Sequence, residues 1–166
     1  MKNGRKAFLE ALTELAEKDK NVLLIIGDVG FSFLEAYMKR FPRQFINVGI
    51  MEQTMMGFAA GLAQAGMKPY VYTMRNFIVF RPYEQVRNDI AYANTNVKLF
   101  GVAGSEAYKF LGMSHNVFVN KDGSDEDVRM MTELPNMKVR LPQTEEIAKL
   151  AILEEYQRQG PAYIII

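Results

Sequence analysis

Residues 45–66 read FINVGIMEQTMMGFAAGLAQAG, and this stretch decides the fold class. A short apolar run at residues 45–48 leads into Gly49 and then into a helical pattern, so a strand is predicted to turn directly into a helix. Glu52 stands in the first turn of that helix, and the rest of the helix is rich in Gly and Ala. Because small residues let another backbone approach closely, the stretch predicts an acid at the edge of a contact surface.

The alternation of strand and helix continues on both sides of this stretch. Val22–Ile26 and residues 97–102 are continuous apolar runs, as expected for strands that are covered on both faces. Further strands are predicted at residues 69–73, 137–141 and 162–166, and helices at residues 32–40, 82–94, 124–133 and 144–158. This order predicts a single α/β domain over residues 1–166, a doubly wound and mostly parallel sheet with helices on both faces.

Composition and charge exclude several classes of function. The chain has a net charge of +1, with 49% hydrophobic and 23% charged residues, so nothing points to nucleic acid. No apolar run approaches the roughly 18 residues of a membrane helix. There is no Cys and only one His, so no metal site is predicted, and a cytoplasmic location is expected.

The loops that follow the predicted strands are the candidate ligand-binding segments, because open α/β sheets bind ligands at that edge. Phe77 and Phe80 lie in the predicted loop 73–81, where aromatic residues either anchor the core or stack on a flat heterocycle. His115 lies in the predicted loop 103–123. It is either exposed or satisfied by hydrogen bonds, or it transfers a proton or binds the substrate.

Two further motifs have a plain structural interpretation. Gly27 begins the turn GDVG after the first strand, but the turn lacks the G-x-G-x-x-G pattern, so phosphate binding there is not predicted. The acidic residues at 122–127 do not have the spacing of a calcium loop and are predicted to form a solvated helix start. Glu52 itself has two interpretations, a favourable partner of the helix dipole or a functional acid.

Five collinear segments resemble the pyrimidine-binding domain of transketolases, and in particular the split transketolases in which this half is a separate polypeptide. The segments are GDVG at residues 27–30, the stretch 45–66, FRPYEQVRNDIAY at 80–92, GMSH at 112–115 and ELPNMKVRLP at 133–142. They spread over nearly the full chain, so the resemblance implies the thiamine diphosphate-binding fold.

The resemblance also implies roles for individual residues. Glu52 matches the acid that hydrogen-bonds N1′ of the cofactor's aminopyrimidine ring and favours its imino tautomer. Phe77 matches the aromatic residue that stacks on this ring, and Met74 and Phe80 match its neighbours. His115 matches a histidine near the thiazolium ring and the substrate. Glu52 and His115 are thus the implied catalytic residues, and Glu52, Met74, Phe77 and Phe80 the implied cofactor-binding residues.

The implied activity is transfer of a two-carbon ketol unit between sugar or sugar phosphate substrates. The family's G-D-G diphosphate and magnesium motif does not occur in this sequence. A diphosphate-binding subunit or domain is therefore the expected partner and the expected supplier of the Mg²⁺ site. The chain on its own is expected to self-associate through the small-residue helix.

Alternatives stay open at this point. The beta subunits of 2-oxoacid dehydrogenases and deoxyxylulose-phosphate synthase share the domain, although they are less similar through residues 80–92. The segment after His115 is also longer than in most transketolases, since residues 116–125 precede the family's acidic motif. A non-catalytic pairing module is therefore the second class of hypothesis.

Overall fold

The computed structural model describes residues 4–102 and 106–166. In chain order the elements of the first half are α1 (Gly4–Lys18), β1 (Val22–Ile26), α2 (Glu35–Arg40), β2 (Phe45–Asn47), α3 (Glu52–Gln64), β3 (Lys68–Met74), α4 (Arg75–Val79) and α5 (Tyr83–Gln85). A π-helix (Val86–Tyr92), β4 (Lys98–Val102), a 3₁₀ segment (Glu106–Ser114), α6 (Glu126–Thr132), β5 (Lys138–Arg140), α7 (Glu145–Gln157) and β6 (Ala162–Ile165) follow.

The strands in the described residues form one sheet in the order β2-β1-β3-β4-β6-β5, and all its neighbouring pairs are parallel. The predicted doubly wound α/β sheet is therefore confirmed. From β1 the chain moves to β2 on one side, and from β3 it moves to β4 on the other side. The two neighbouring strands β1 and β3 thus form a switch point, where a crevice opens at the carboxyl edge.

The core consists of two layers, one on each face of the sheet. In β1, Leu24 and Ile26 belong to the layer that contains α1 and α7, while Ile25 belongs to the layer that contains α3 and the π-helix. The alternation follows from the two-residue period of a strand. Because both faces are covered, all five residues of β1 are buried, which explains the continuous apolar run in the sequence.

Three local predictions were wrong in detail. The predicted loop 73–81 contains α4, whose five residues are all buried, so burial outweighs the low helix propensity of the β-branched residues Ile78 and Val79. The predicted helix 82–94 begins as α-helix but continues as a π-helix. The predicted loop 103–123 contains a 3₁₀ segment from Glu106, while residues 103–105 lie outside the described part.

In the described ranges, no helix is both long enough and apolar enough to cross a membrane. Within those same ranges, no group of three or more His, Asp or Glu side chains is arranged to hold a metal ion.

Candidate active site

A cleft of about 440 Å³ lies at the carboxyl edge of the sheet. The ends of β1, β3 and β4 contribute to its wall, so the cleft lies at the switch point of the sheet. Its lining residues are Arg5, Gly27, Asp28, Val29, Gly30, Phe31, Ile50, Glu52, Tyr72, Thr73, Met74, Phe77, Arg81, Val102 and His115.

The side chain of Asn47 joins the loops that follow β1 and β2. Its oxygen accepts hydrogen bonds from the backbone N–H groups of Asp28 and Gly49, both at 3.0 Å. Its Nδ2 donates to Asp28 Oδ1 at 3.3 Å. Asp28 has a φ of 56°, a left-handed conformation that Asp tolerates better than most residues. These bonds fix the start of α3 beside the cleft.

Glu52 is the first residue of α3, and its side chain is only 6% exposed. Arg81 Nη1 donates a hydrogen bond to Glu52 Oε1 at 2.5 Å. The first turn of a helix presents unpaired backbone N–H groups and favours a negative charge. Glu52 is therefore a buried carboxylate that is held at a helix start and paired with a cation from another element.

The same guanidinium covers the face of Phe77. The Arg81 Cζ atom lies 3.7 Å from the centre of the Phe77 ring. Phe77 lies in α4 and is buried, while the Arg81 side chain is 42% exposed. A flat, hydrogen-bonding group thus lies between an aromatic face and a carboxylate, and both contacts are favourable for a planar cation.

His115 also contacts the Phe77 ring. The two ring centres are 5.0 Å apart and the planes meet at 74°, which is an edge-to-face contact. The Ser114 hydroxyl is 2.8 Å from His115 Nδ1, so this hydroxyl restrains the orientation of the imidazole. His115 is half-buried and lines the cleft.

The cleft brings together four of the five residues singled out from the sequence. Glu52, Met74, Phe77 and His115 all line it. Phe80 is not part of the lining; it caps the C-terminal end of α4 and is 37% exposed. The four residues come from three separate parts of the chain, and only the fold places them at one cleft.

A buried charge cluster between α4 and the start of α6 could not be predicted from the sequence. Arg75 Nε donates to Asp127 Oδ2 at 2.8 Å, and its Nη2 donates to Asp127 Oδ1 at 2.6 Å and to Asp125 Oδ2 at 2.5 Å. The Tyr163 hydroxyl donates to Asp127 Oδ2. The prediction of a solvated helix start is therefore wrong for Asp127, which is fully buried, because a cation from α4 neutralises it.

The pKa of Arg75 shows which effect dominates in this cluster. Burial by itself lowers the pKa of the guanidinium, but the hydrogen bonds and charge of Asp127, with help from Tyr163 and Asp125, raise it overall. Burial and the charge of Asp127 also raise the pKa of Tyr163. The cluster is thus a charged unit in which the buried Asp127 carboxylate is bonded to both Arg75 and Tyr163, as buried ions require.

Asn76 was also missed, since nothing in its sequence context sets it apart. It is 6% exposed and lies between Arg75 and Phe77 on α4. Its Nδ2 donates hydrogen bonds to the backbone oxygens of Met113 at 3.0 Å and Asn116 at 2.8 Å. α4 therefore contacts the segment that carries His115 through a side-chain amide as well as through the Phe77 ring.

Thr73 leaves a buried hydroxyl in the wall of the cleft. The residue is fully buried, and its Oγ1 has no hydrogen-bond partner among the described residues. A buried hydroxyl without a partner is uncommon and costs free energy in a folded chain. The Thr73 hydroxyl thus lies just behind the wall of the cleft and is not itself accessible from it.

Comparison with known proteins identifies the family of the chain. The sequence profile of the family described as "Transketolase, pyrimidine binding domain" matches residues 1–166. The chain is 38% identical over 153 residues to a subunit of the apulose-4-phosphate transketolase of Phocaeicola vulgatus, covering 89% of this chain and 47% of that protein. It is 35% identical over 161 residues to the 1-deoxy-D-xylulose-5-phosphate synthase of Macrococcus caseolyticus, covering 95% of this chain and 24% of that protein.

A solved structure has the same fold over nearly the whole chain. The structure titled "Split gene transketolase, inactive beta4 tetramer" matches with a TM-score of 0.83 and 32% sequence identity, covering 98% of this chain and 50% of the other. The present chain thus spans about half the length of the split transketolase relatives that it matches. The resemblance stated from the sequence is confirmed: the chain belongs to the family of transketolase pyrimidine-binding domains.

Proposed function

We propose that residues 1–166 act as one pyrimidine-binding domain of a thiamine diphosphate-dependent, transketolase-like enzyme. The proposed reaction transfers a two-carbon ketol unit between sugar or sugar phosphate substrates. The observation that carries the proposal is the meeting of the Glu52 carboxylate and the Phe77 ring face in one cleft. The names of the relatives, split transketolase subunits among them, point in the same direction.

The residues present fit an aminopyrimidine ring. The Arg81 guanidinium, which is also flat and carries N–H donors, already stacks on Phe77 and donates to Glu52. A flat ring with N–H donors would find an aromatic face and a carboxylate in the same relative positions.

The cofactor supplies the carbanion chemistry of the reaction, and the protein binds and orients it. In this proposal Glu52 hydrogen-bonds the ring nitrogen N1′, Phe77 stacks on the ring, and Met74 packs beside it. His115 holds or moves a proton at the substrate side of the cleft, where its imidazole is restrained by Phe77 and the Ser114 hydroxyl.

A partner domain is proposed to hold the diphosphate and Mg²⁺. Large apolar side chains stay exposed around the cleft and beside the start of α3: Phe31 is 74% exposed, Ile50 69% and Met51 52%. Exposed apolar residues that cluster at a functional cleft are typical of a surface that another protein covers. We infer that the diphosphate-binding subunit or domain packs here.

The exposed face of α3 is the proposed contact for self-association when the chain is alone. Along this face Gln53, Thr54, Gly61 and Gln64 are exposed, and Phe58 is 40% exposed. This face combines polar side chains with Gly61 and the aromatic Phe58, whereas Ala59 and Ala60 pack into the core, so the contact would form around Phe58 and Gly61. Light scattering of the purified chain checks this proposal, and a strict monomer at high concentration contradicts it.

Reconstitution tests the proposed function. The chain is combined with the diphosphate-binding subunit of a split transketolase, thiamine diphosphate and Mg²⁺, and transfer from a ketose phosphate to an aldose is measured. We expect Glu52→Ala to lower kcat by about 10²- to 10⁴-fold, the range for loss of a group that controls proton transfer. Glu146→Ala is the matched control, because Glu146 is also an acid in the first turn of a helix but lies on the exposed side of α7.

The competing functions give different outcomes in the same experiment. Ketol transfer that survives Glu52→Ala unchanged would mean that the assigned role of Glu52 is wrong. Turnover of pyruvate in preference to a ketose favours a 2-oxoacid dehydrogenase or deoxyxylulose-phosphate synthase activity. Calorimetry separates a non-catalytic module, because such a module pairs with the partner equally well with and without the cofactor.

A further inference from the structure

The side-chain amide of Asn76 hydrogen-bonds to the segment that carries His115. Asn76 Nδ2 donates to the backbone oxygens of Met113 and Asn116, at 3.0 and 2.8 Å. These two carbonyl groups stand immediately before and immediately after the pair Ser114 and His115. An amide NH₂ group has two donor hydrogens, so both hydrogens of Asn76 are used on this one segment.

We propose that Asn76 is the positioning residue that holds His115 over the cleft. It precedes Phe77 in α4, and the Phe77 ring makes the edge-to-face contact with the imidazole. The turn has further bonds of its own, since the N–H groups of His115 and Asn116 donate to the Gly112 oxygen at 3.2 and 3.1 Å. These bonds shape the turn, whereas the two bonds from Asn76 attach the turn to α4.

The neighbouring side chain fixes the far end of the same segment. Arg75 binds Asp125 and Asp127, which lie at the start of α6. Two consecutive residues of α4 therefore hold residues 113–116 and residues 125–127, and residues 117–124 span the distance between them. Arg75 contributes a buried ion pair, while Asn76 contributes neutral hydrogen bonds directly beside His115. The orientation of the imidazole is thus assigned to Asn76 rather than to Arg75.

His115 is the only histidine in the chain, so its imidazole gives one set of ring signals by NMR. In the wild-type chain we expect nuclear Overhauser effects between the rings of His115 and Phe77, and side-chain amide protons of Asn76 that exchange slowly. In Asn76→Ala and Asn76→Asp, which lose the donor group, we expect the His115 signals to shift toward those of a free imidazole.

Gln44 offers a matched control. Its Nε2 donates to the backbone oxygens of Ala16, Asp19 and Val22, and the residue is 5% exposed. Gln44→Ala therefore also removes a buried amide that holds backbone carbonyl groups, but it does so at the opposite edge of the sheet. We expect this variant to lose stability while the His115 signals stay in place. If Asn76→Ala leaves the His115 signals where they are, the positioning role is overturned.

Activity provides the second measurement, and this part rests on the proposed function. In the reconstituted enzyme we expect Asn76→Ala to lower kcat roughly ten- to a hundredfold with little change in KM, since misplacement of a catalytic group acts mainly on the chemical step. One outcome is that Asn76→Ala shifts the His115 signals while the wild-type enzyme performs no ketol transfer. This result would refute the proposed function and leave the positioning role standing. Normal wild-type transfer with an unchanged kcat in Asn76→Ala would refute the positioning role alone. If the Asn76 variants do not fold, the proposal is tested on the wild-type chain. Absence of nuclear Overhauser effects between the rings of His115 and Phe77 would then overturn it.

Discussion

The two edges of the sheet bury ionic clusters of opposite character. At the carboxyl edge, Arg75 binds Asp127 through two of its nitrogens, and Tyr163 donates to the same carboxylate. At the amino edge, Lys98 is 2% exposed and lies 3.7 Å from Glu155. Its two hydrogen bonds go to backbone oxygens instead, at 3.0 and 2.6 Å.

The pKa values of the two cations move in opposite directions. The pKa of Arg75 is raised because its bonds to Asp127 outweigh burial. Burial and, to a lesser extent, the charge of Arg158 lower the pKa of Lys98 to about 8, because Glu155 only partly compensates for them. The comparison shows that a fork-shaped cation facing a carboxylate is well matched, whereas an ammonium group that shares its carboxylate with two arginines is not.

The largest expected effect comes from breaking the matched cluster. Arg75→Leu leaves the fully buried Asp127 without its cation, so we expect the free energy of unfolding to fall by about 3 to 5 kcal/mol. Urea denaturation of the isolated chain measures this loss.

Arg129→Leu is the control for this substitution. Arg129 lies on α6 close to the same acidic residues, but its ion pairs with Asp122 and Glu133 are exposed. We expect a change below about 1 kcal/mol there. Equal losses in the two variants would show that the buried cluster has no special weight.

The amino-edge cluster is expected to have an intermediate and pH-dependent effect. Lys98 in the folded chain loses its proton near pH 8, whereas in the unfolded chain it keeps the proton to about pH 10.5. The unfolded state therefore binds more protons between these values, and stability rises with pH in this window. We expect a gain of about 1 to 2 kcal/mol between pH 8 and 10 in the wild type relative to Lys98→Met.

Comparison with Lys98→Met also removes the contribution of the buried tyrosines. Tyr37 and Tyr70 have pKa values raised by burial, and they lower stability as the pH rises above about 10. This contribution is the same in both proteins. Parallel pH profiles for the two proteins would contradict the assignment of the lowered pKa to Lys98.

The ion pair in the cleft is expected to have the smallest effect on stability and a clear effect on binding. The Arg81 side chain is 42% exposed, and the substituted amide keeps an N–H donor for the buried Glu52 carboxylate, so we expect Arg81→Gln to change the free energy of unfolding by only about 1 kcal/mol. The substitution uncovers the Phe77 face and the Glu52 carboxylate. We expect a free aminopyrimidine to bind several-fold more tightly, as measured by NMR titration, with Arg87→Gln, on the exposed side of the π-helix, as control. Weaker binding would mean that the guanidinium assists the ligand instead of competing with it.

The class of the fold could be predicted because its signals are local. The apolar run of β1 and the small-residue pattern of α3 each report their own surroundings, so the strand and helix order followed from the sequence. The π-helix could not be predicted in this way, because i→i+5 hydrogen bonding is rare and the residue pattern does not distinguish it from an α-helix. The short helix α4 was missed because its formation depends on burial of its five residues rather than on their helix propensity.

The site was predictable where a residue type limits the chemistry. Few residue types can perform the chemistry of such a site. Glu52, Phe77 and His115 could be named because they are an acid, an aromatic residue in a predicted loop and the single histidine, and because they match family motifs. Asn76 and Asp127 could not, since their importance comes from partners 37 to 52 positions away in the sequence. A long-range hydrogen bond leaves no pattern in the residues around it.

The two walls of the cleft follow strands that differ in length, burial and number of paired neighbours. The wall that holds Glu52 follows β2, an edge strand of three residues that is only partly buried. The wall that holds Phe77 follows β3, an inner strand of seven residues that pairs on both sides. Backbone amides of an edge element exchange through smaller opening reactions than those of an inner strand. We therefore expect hydrogen exchange to be faster at the backbone amides around Glu52 than at those of the strand that precedes Phe77.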